Sequence, residues 1–212
     1  EENPAYTFAQ AVADPWGTDT VASNGSIVNG RIGSTRYSNS LNYRIALGDF
    51  TFGAQGAQAD GNAPALGGNA EKRPYSLGAG WSSGPWRVGV GFENPADRDD
   101  RWASVAASYD FGLARVGAFF GSGKNVDAQK VEGYLVSVVA PPGAGEVRAS
   151  YGVLKNKDVA FDDELDEQAG LGYHHPLSKR TTLYADLVHE RREGLPDGRR
   201  KTGYDIGLKH NF

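Results

Sequence analysis

From residue 36 onward, hydrophobic and polar side chains alternate along short stretches of the chain. In the first stretch Leu41, Tyr43 and Ile45 share one parity, whereas Asn42 and Arg44 share the other. Because successive side chains of a β-strand point to opposite faces of the sheet, this period of two predicts strands with one apolar and one polar face. Eleven strands are predicted, at 36–47, 50–58, 74–82, 86–93, 101–111, 113–121, 130–140, 146–155, 168–177, 181–190 and 200–212.

The charged residues test this assignment, because the two faces were distinguished by apolar residues alone. The apolar positions carry no charge, and thirteen charged residues lie at polar-face parity: Arg36, Arg44, Arg87, Glu93, Asp110, Arg115, Glu146, Arg148, Asp186, Glu190, Lys201, Asp205 and Lys209. A Lys or Arg facing lipid near the bilayer midplane would cost about 2–4 kcal/mol, so lipid exposure selects such a pattern. The inner face of a soluble β-sandwich would select it too.

Aromatic residues and connection lengths favour lipid over a packed core. Trp81, Trp86 and Tyr109 lie on the apolar face beside short connections, and Phe212 ends the last predicted strand. Belts of aromatic side chains mark the interfaces of membrane barrels, and short turns alternating with long loops are typical of outer-membrane barrels. We therefore expect these four residues to be anchors at the periplasmic membrane interface.

Composition narrows the class of protein further. The chain has 29 glycines and 11% aromatic residues, with a mean hydropathy of −0.49. These values favour short strands over helices, and no stretch approaches the roughly 18 apolar residues of a membrane-spanning helix. A net charge of −4 without a basic cluster excludes a general nucleic-acid binder. The absence of cysteine excludes thiolate zinc sites, disulfides and thiol nucleophiles.

Three stretches of the chain resemble a known family. Tyr204-Asp-Ile-Gly-Leu-Lys-His-Asn-Phe212 resembles the C-terminal strand of Gram-negative outer-membrane porins. Asp14-Pro-Trp-Gly-Thr-Asp19, followed by Asn24-Gly-Ser and by Arg36-Tyr-Ser-Asn-Ser-Leu-Asn-Tyr43, is similar to the constriction loop and next strand of the β-proteobacterial general porins. Leu177-Ser-Lys-Arg-Thr-Thr-Leu-Tyr184 is similar to a late turn and strand of the same porins, and the resemblance covers essentially the whole chain.

This resemblance implies an all-β fold, a transmembrane antiparallel β-barrel in the bacterial outer membrane. The eleven strands would correspond to strands 6–16 of a sixteen-stranded porin, with residues 1–35 folded into the pore as a constriction loop and residues 36–212 forming the wall. Because eleven is odd, either five preceding strands are absent from this chain or residues 1–30 supply a twelfth. We favour the first alternative, because Ala5–Asp14 is typical of a short helical turn and a loop.

The expected function is passive diffusion of small hydrophilic solutes and ions through a water-filled channel, without catalysis or a cofactor. The resemblance also implies a homotrimer in contact with lipid and lipopolysaccharide. The wall carries seven basic and six acidic residues, whereas residues 1–35 have a net charge of −3. This contrast predicts weak anion selectivity. The expected pore-lining residues are Arg36, Arg44, Arg87, Arg115, Arg148 and Lys209 on the wall, with Asp14, Asp19 and Arg31 on the inserted loop. The alternative is that several of these arginines pair with Glu93, Glu146 or Asp186.

Other sites and functions have weaker support. Asp162, Asp163 and Asp166 are candidate ligands for Ca²⁺ or Mg²⁺ in an external loop, but their spacing is not that of an EF-hand, and a solvated acidic loop is favoured. An outer-membrane esterase or phospholipase would use Ser137 or Ser150, although no histidine has the parity to reach either. A soluble carbohydrate-binding β-sandwich is the remaining alternative.

Overall fold

The computed structural model describes residues 2–17, 20–60, 62, 72–96, 99–125, 127–158, 163–192 and 200–211. It contains eleven strands: β1 (Ser40–Leu47), β2 (Phe50–Ala57), β3 (Tyr75–Ser83), β4 (Trp86–Asn94), β5 (Arg101–Asp110), β6 (Arg115–Lys124), β7 (Lys130–Ala140), β8 (Glu146–Asn156), β9 (Asp163–Pro176), β10 (Thr181–Arg192) and β11 (Arg200–His210). The predicted number of strands is confirmed.

All eleven strands form one antiparallel sheet in the order in which they occur along the chain, with β1 and β11 at its edges. Tight turns join the strands at one end, and Gly84 and Gly112 adopt φ of 54° and 82° there, a conformation that a side chain disfavours. A single sheet of this kind is not the pair of packed sheets that the soluble sandwich required, so that alternative is wrong.

Two predicted strand starts are wrong by four or more residues, whereas the other predicted boundaries agree with the structure within three residues. β1 begins at Ser40 rather than at residue 36, so Arg36 precedes the wall instead of forming part of it. β9 begins at Asp163 rather than at residue 168, so much of the acidic run assigned to an external loop belongs to a strand. Both stretches contain few apolar side chains, so the alternation of apolar and polar residues does not distinguish strand from loop there.

The outer face of the sheet is apolar and exposed, as the alternation predicted. Leu41 on β1 is 81% exposed, Val136 on β7 is 56% exposed and Tyr204 on β11 is 77% exposed. Charged side chains also reach this face, but only near the loop-side ends of strands, as Arg101, Lys130 and Glu132 do. The central band that would contact lipid therefore remains uncharged.

Residues 2–17 and 20–35, hereafter the inner segment, lie against the opposite face of the sheet. They contain a π-helical stretch, Tyr6–Gln10, that continues into a helical turn, Ala11–Ala13, and a second turn, Gly25–Val28. The Glu2 carbonyl oxygen accepts a hydrogen bond from Asn42 of β1, and the Val21 amide donates to Asp205 of β11, both at 3.3 Å. Because one short segment contacts strands at both edges, the sheet curves around it. The described part of the inner segment does not supply a twelfth strand.

Apolar residues fill the space between the inner segment and the central strands. This core comprises Ala13, Ile27, Val28, Ile32, Trp102, Ala106, Phe119, Val131, Leu135 and Leu154, all of them buried. Part of the inner face is thus covered by a packed apolar core, which the alternation alone did not predict. Among the described residues, no helix is long and apolar enough to cross a membrane.

Candidate pore constriction

The first helix of the inner segment packs against a strip of glycines on β2, β3 and β4. A Cβ atom on Gly78 would lie 2.5 Å from the Pro4 carbonyl oxygen, and one on Gly91 would lie 2.7 Å from the Ala5 Cα. A methyl group on Gly89 would overlap the Phe8 carbonyl oxygen. The glycines at polar-face parity are therefore the surface on which the helix backbone rests.

Glu93 fixes both ends of the inner segment to β4. Its side chain is fully buried and accepts four hydrogen bonds, from Gln10 Nε2 (2.5 Å), the Ser34 amide (2.9 Å), the Tyr37 hydroxyl (3.0 Å) and Asn3 Nδ2 (3.3 Å). Burial and the nearby Glu93 carboxylate raise the pKa of Tyr37 well above its usual value, so its hydroxyl remains a donor. Glu93 is therefore bound by neutral donors rather than by an arginine.

Asp14 organises the turn in the middle of the inner segment. Its carboxylate accepts hydrogen bonds from the Asn24 amide and Asn24 Nδ2, both at 3.1 Å, from the Trp16 amide at 3.3 Å and from the Ser23 hydroxyl at 3.4 Å. Burial outweighs these bonds and raises the pKa of Asp14 from 3.8 to about 6. Asp14 therefore stabilises the turn and is not an exposed charge facing the wall.

Trp16 attaches the next part of the segment to β9 and β10. Its indole N–H donates to Asp186 Oδ1 at 2.8 Å, and His174 Nε2 lies 3.0 Å from the same oxygen. The absence of side chains at Gly170 and Gly172 leaves room for the indole ring. His175 contacts the exposed Tyr173 hydroxyl, so the two neighbouring histidines point to opposite faces of β9.

The second helical turn is held by Trp102 and by an ionic cluster. The Trp102 indole N–H donates to the Val28 carbonyl oxygen at 2.9 Å, and its side chain is fully buried. Buried Asp166 accepts a hydrogen bond from the Ser26 hydroxyl at 2.5 Å and lies 3.5 Å from Arg31 and 3.4 Å from Arg192. Arg31 is consequently neutralised and does not present a free charge to the pore.

Three of the five predicted wall arginines interact with their surroundings. Arg36 lies 3.3 Å from Glu2, outside the strands. Arg148 lies 2.7 Å from Glu146 and also donates to the Pro15 carbonyl oxygen at 2.8 Å. The Arg44 guanidinium stacks over the Phe8 ring, 4.8 Å from its centroid, without a carboxylate partner among the described residues. The predicted pairing with Glu146 therefore occurs, whereas Glu93 and Asp186 bind other groups.

Arg87 and Arg115 line a cavity of about 200 Å³ between the inner segment and the wall. Ser108, Asp14 and Pro15 also line it. Within the described chain, neither guanidinium forms an ion pair with a carboxylate. Together with Arg44, these residues are cations of the inner face that form no ion pair with a carboxylate among the described residues.

The remaining predicted residues have varied positions. Trp86 and Tyr109 form an edge-to-face pair with ring centroids 4.6 Å apart, beside the short turns, and Trp81 is half-buried nearby. Lys209 is exposed on β11 opposite Thr182. Asp19, Asp162 and Phe212 lie outside the described residues, and only the backbone of Asp163 is described.

The predicted metal and catalytic candidates have structural contacts instead. Asp166 points inward to Arg31 and Arg192 rather than into an external loop. In the described ranges no three histidine or acidic side chains converge on a point that could hold a metal ion. The Ser137 hydroxyl donates to the Ala13 carbonyl oxygen at 2.6 Å, and Ser150 hydrogen-bonds Asn24. Both serines therefore attach the inner segment to the wall.

The chain matches the Gram-negative porin family over residues 1–195. It is 30% identical to outer membrane porin protein 32 of Delftia acidovorans over 136 residues, which are 55% of this chain and 37% of that protein. It is 31% identical over 94 residues to an outer membrane porin protein of Bordetella pertussis, covering 44% of this chain and 24% of the relative. The matches thus span less than half the length of these curated relatives.

Solved structures show the same fold. The anion-selective porin from Comamonas acidovorans superposes with a TM-score of 0.81 at 23% identity, covering 100% of this chain and 72% of that one. OmpT of Vibrio cholerae, expressed in the outer membrane, superposes with a TM-score of 0.74 at 12% identity, covering 99% and 74%. The chain belongs to the Gram-negative porin family, and its transmembrane-barrel fold class is confirmed.

Sequence reasoning missed the residues that hold the inner segment in place. Trp102 was not singled out, and Glu93 and Asp186 were treated only as wall charges and as partners for arginines. One signal was available, because glycines recur at inward positions on adjacent strands, as Gly53, Gly78 and Gly89 do. Glycines at adjacent inward positions indicate that another backbone approaches the sheet closely.

Proposed function

We propose that this chain forms wall and constriction of a water-filled diffusion channel in the outer membrane of a Gram-negative bacterium. The observation that carries the proposal is the polarity of the single curved sheet. Large apolar side chains are exposed on its outer face, while polar side chains and the inner segment occupy its inner face. Such a wall is stable when lipid lies outside and water inside. Passage of solutes then requires no chemical step and no cofactor.

The inner segment narrows this channel in our proposal. The inner segment contacts the inner face from β1 to β11, and hydrogen bonds to Glu93, Asp186 and Asp166 hold it there. Because these contacts are buried, the segment stays against the wall rather than swinging across the pore. The surface of the inner segment that faces away from the wall then determines the cross-section of the channel that is open to solutes.

Weak anion preference follows from the charges left uncompensated. Arg44, Arg87 and Arg115 have no carboxylate partner among the described residues, whereas Asp14, Glu93, Asp166 and Asp186 are buried beneath hydrogen-bond donors. The inner surface therefore presents more accessible positive than negative charge, which favours entry of small anions and hydrophilic solutes. One similar solved structure is an anion-selective porin, in agreement with this sign.

Assembly and surroundings are part of the same proposal. We infer a homotrimer, since one of the similar solved structures, OmpT of Vibrio cholerae, is described in trimer form. The exposed apolar band, including Val105, Val136 and Leu187, would contact lipid, and the loop-side ends with Lys130 and Arg191 would lie near lipopolysaccharide.

Planar-bilayer recording tests the function directly. The purified protein should conduct ions, and its reversal potential in a potassium chloride gradient should show a preference for chloride. Replacing Arg44, Arg87 and Arg115 by glutamine should shift the reversal potential towards zero. Replacing Lys179 and Arg180, which are exposed on a short turn, should change it much less. A clear cation preference of the unmodified channel would overturn the proposed selectivity, and absence of conductance would overturn the proposed function.

A further inference from the structure

The cavity lined by Arg87 and Arg115 is accessible from one end of the barrel. A second, open recess of about 290 Å³ extends towards the short turns at Gly84 and Gly112. Both spaces are lined by Arg87, Ser108 and Arg115, so the two arginines lie where the cavity beside the inner segment adjoins the recess at the short turns. A solute entering from the short-turn mouth meets them before it reaches the inner segment.

Strand register brings the polar groups of this cavity to one side of the sheet. Arg87 of β4 is paired with Ser108 of β5, and Ser108 is paired with Gly117 of β6. Arg115 precedes Gly117 by two residues and therefore projects from the same face. Position 117 has no side chain, and a Cβ atom there would lie 2.6 Å from the Ser137 hydroxyl oxygen, so the inner segment packs closely against the sheet beside the cavity.

Among the described residues, neither arginine forms an ion pair with a neighbouring carboxylate. Asp14 lies in the cavity wall, but its oxygens accept hydrogen bonds from its own segment. Asp110 is paired with Arg115 across β5 and β6, but its carboxylate accepts a hydrogen bond from the Gly112 amide at 2.8 Å. Arg148, by contrast, has Glu146 at 2.7 Å. Arg87 and Arg115 thus retain their positive charge and their donors for a ligand.

The donors define the chemistry of such a ligand. Each guanidinium presents a planar fork of N–H groups that matches two oxygens of an oxyanion, and Ser108 adds a hydroxyl. Two cations balance two negative charges. The cavity volume of about 200 Å³ holds a small anion together with several waters. Chloride fits the space but cannot use the forked geometry.

We propose that Arg87, Arg115 and Ser108 form a saturable binding site for a small divalent oxyanion, for which sulfate and inorganic phosphate are the simplest probes. This site rests on the proposed channel function and adds to it a solute that binds reversibly inside the channel. A bound dianion occupies the route near the short turns, so it reduces chloride current in a concentration-dependent manner. Access through the short-turn mouth makes the reduction stronger when the dianion is added from that side.

Single-channel recording with sulfate tests the site. Chloride current is measured while sulfate is titrated at constant ionic strength, with acetate as the monovalent comparison and inorganic phosphate as the second divalent probe. The reduction should saturate with sulfate and phosphate but not with acetate. The concentration of sulfate for half reduction should rise about tenfold or more in Arg87→Gln/Arg115→Gln. The matched control Lys179→Gln/Arg180→Gln removes two charges from the same end of the barrel without touching the cavity.

The possible outcomes distinguish failure of the proposed binding site from failure of the proposed channel function. Equal half-reduction concentrations in the original protein, the cavity variant and the control variant would overturn the site while leaving the channel intact. Reduction by acetate as strong as that by sulfate would overturn the divalent preference. If no variant conducts, the proposed channel function fails, and calorimetric titration of the detergent-solubilised protein with sulfate decides the site independently. In that titration the cavity variant should lose the binding heat that the control retains, and equal heats would overturn the site.

Discussion

Replacing Gly89 by alanine tests whether the glycine strip holds the inner segment in place. The new methyl group would overlap the Phe8 carbonyl oxygen, a backbone atom that cannot move without its helix. Phe8 would then leave the wall, and burial of a phenylalanine side chain contributes about 1.5–3 kcal/mol. Losing the hydrogen bond from Gln10 to buried Glu93 would cost about 1–3 kcal/mol more. We expect the undocked population of the first helix to rise by roughly two to four orders of magnitude, since about 1.4 kcal/mol corresponds to a factor of ten.

Hydrogen–deuterium exchange of the folded protein in detergent measures this population. Amides of residues 5–13 should exchange much faster in Gly89→Ala, while amides of the central strands keep their protection. Gly56→Ala is the matched control, because Gly56 lies on β2, two strands away in the same sheet, with open space around the position of a Cβ atom. Equal exchange rates in the two variants would refute the reasoning, because they would show that the methyl group is accommodated without displacing the helix.

Three further predictions concern the segment and the outer face. Because the pKa of Asp14 is raised to about 6 in the folded protein, its contribution to stability is fully present below pH 3.8 and is lost as pH rises through 6. The free energy of unfolding should fall by about 3 kcal/mol over this range, which lowers the urea midpoint of the original protein. Asp14→Asn should abolish this fall, and parallel pH profiles of the urea midpoint in the two proteins would contradict the prediction. Trp102→Phe removes the hydrogen bond to the Val28 carbonyl oxygen and should lower the free energy of unfolding by about 1–3 kcal/mol, whereas an unchanged urea midpoint would show that the bond contributes nothing. Val136→Arg, on the outer face, should cost about 2–4 kcal/mol for the protein refolded in lipid vesicles, and Val136→Leu should cost little; equal stabilities would argue against lipid contact there.

Much of the wall could be predicted from local pattern, because each strand faces two environments. Leu41, Tyr43 and Ile45 alternate with polar residues, and all three are exposed on the apolar side. Since every strand obeys the same rule, the eleven strands and their two faces follow without knowledge of distant contacts. The pattern failed at Arg36 and Asp163, where polar residues dominate and the two faces are not distinguished.

The candidate site was predicted less completely, because its properties depend on partners far apart in the chain. Arg148 and Arg87 have the same parity and the same charge, yet only Arg148 has a carboxylate at 2.7 Å. Asp14 and Asp186 were predicted as charges of the pore and the wall, but the fold buries both beneath hydrogen-bond donors. Parity along a strand specifies which face of the sheet a side chain occupies. It carries no information about which side chains from distant parts of the chain contact that face.

By itself, therefore, the sequence determined a lipid-facing band, a polar inner face and a helical segment preceding the strands. Only the tertiary structure decided which inward charges lack an ion-pair partner and which glycines pack against the inner segment. Burial and pairing arise only when the inner segment contacts strands as distant in the chain as β10. The physical reason is the range of the interactions. Alternation is a property of neighbouring residues, whereas the contact between Trp16 and Asp186 joins positions 170 residues apart.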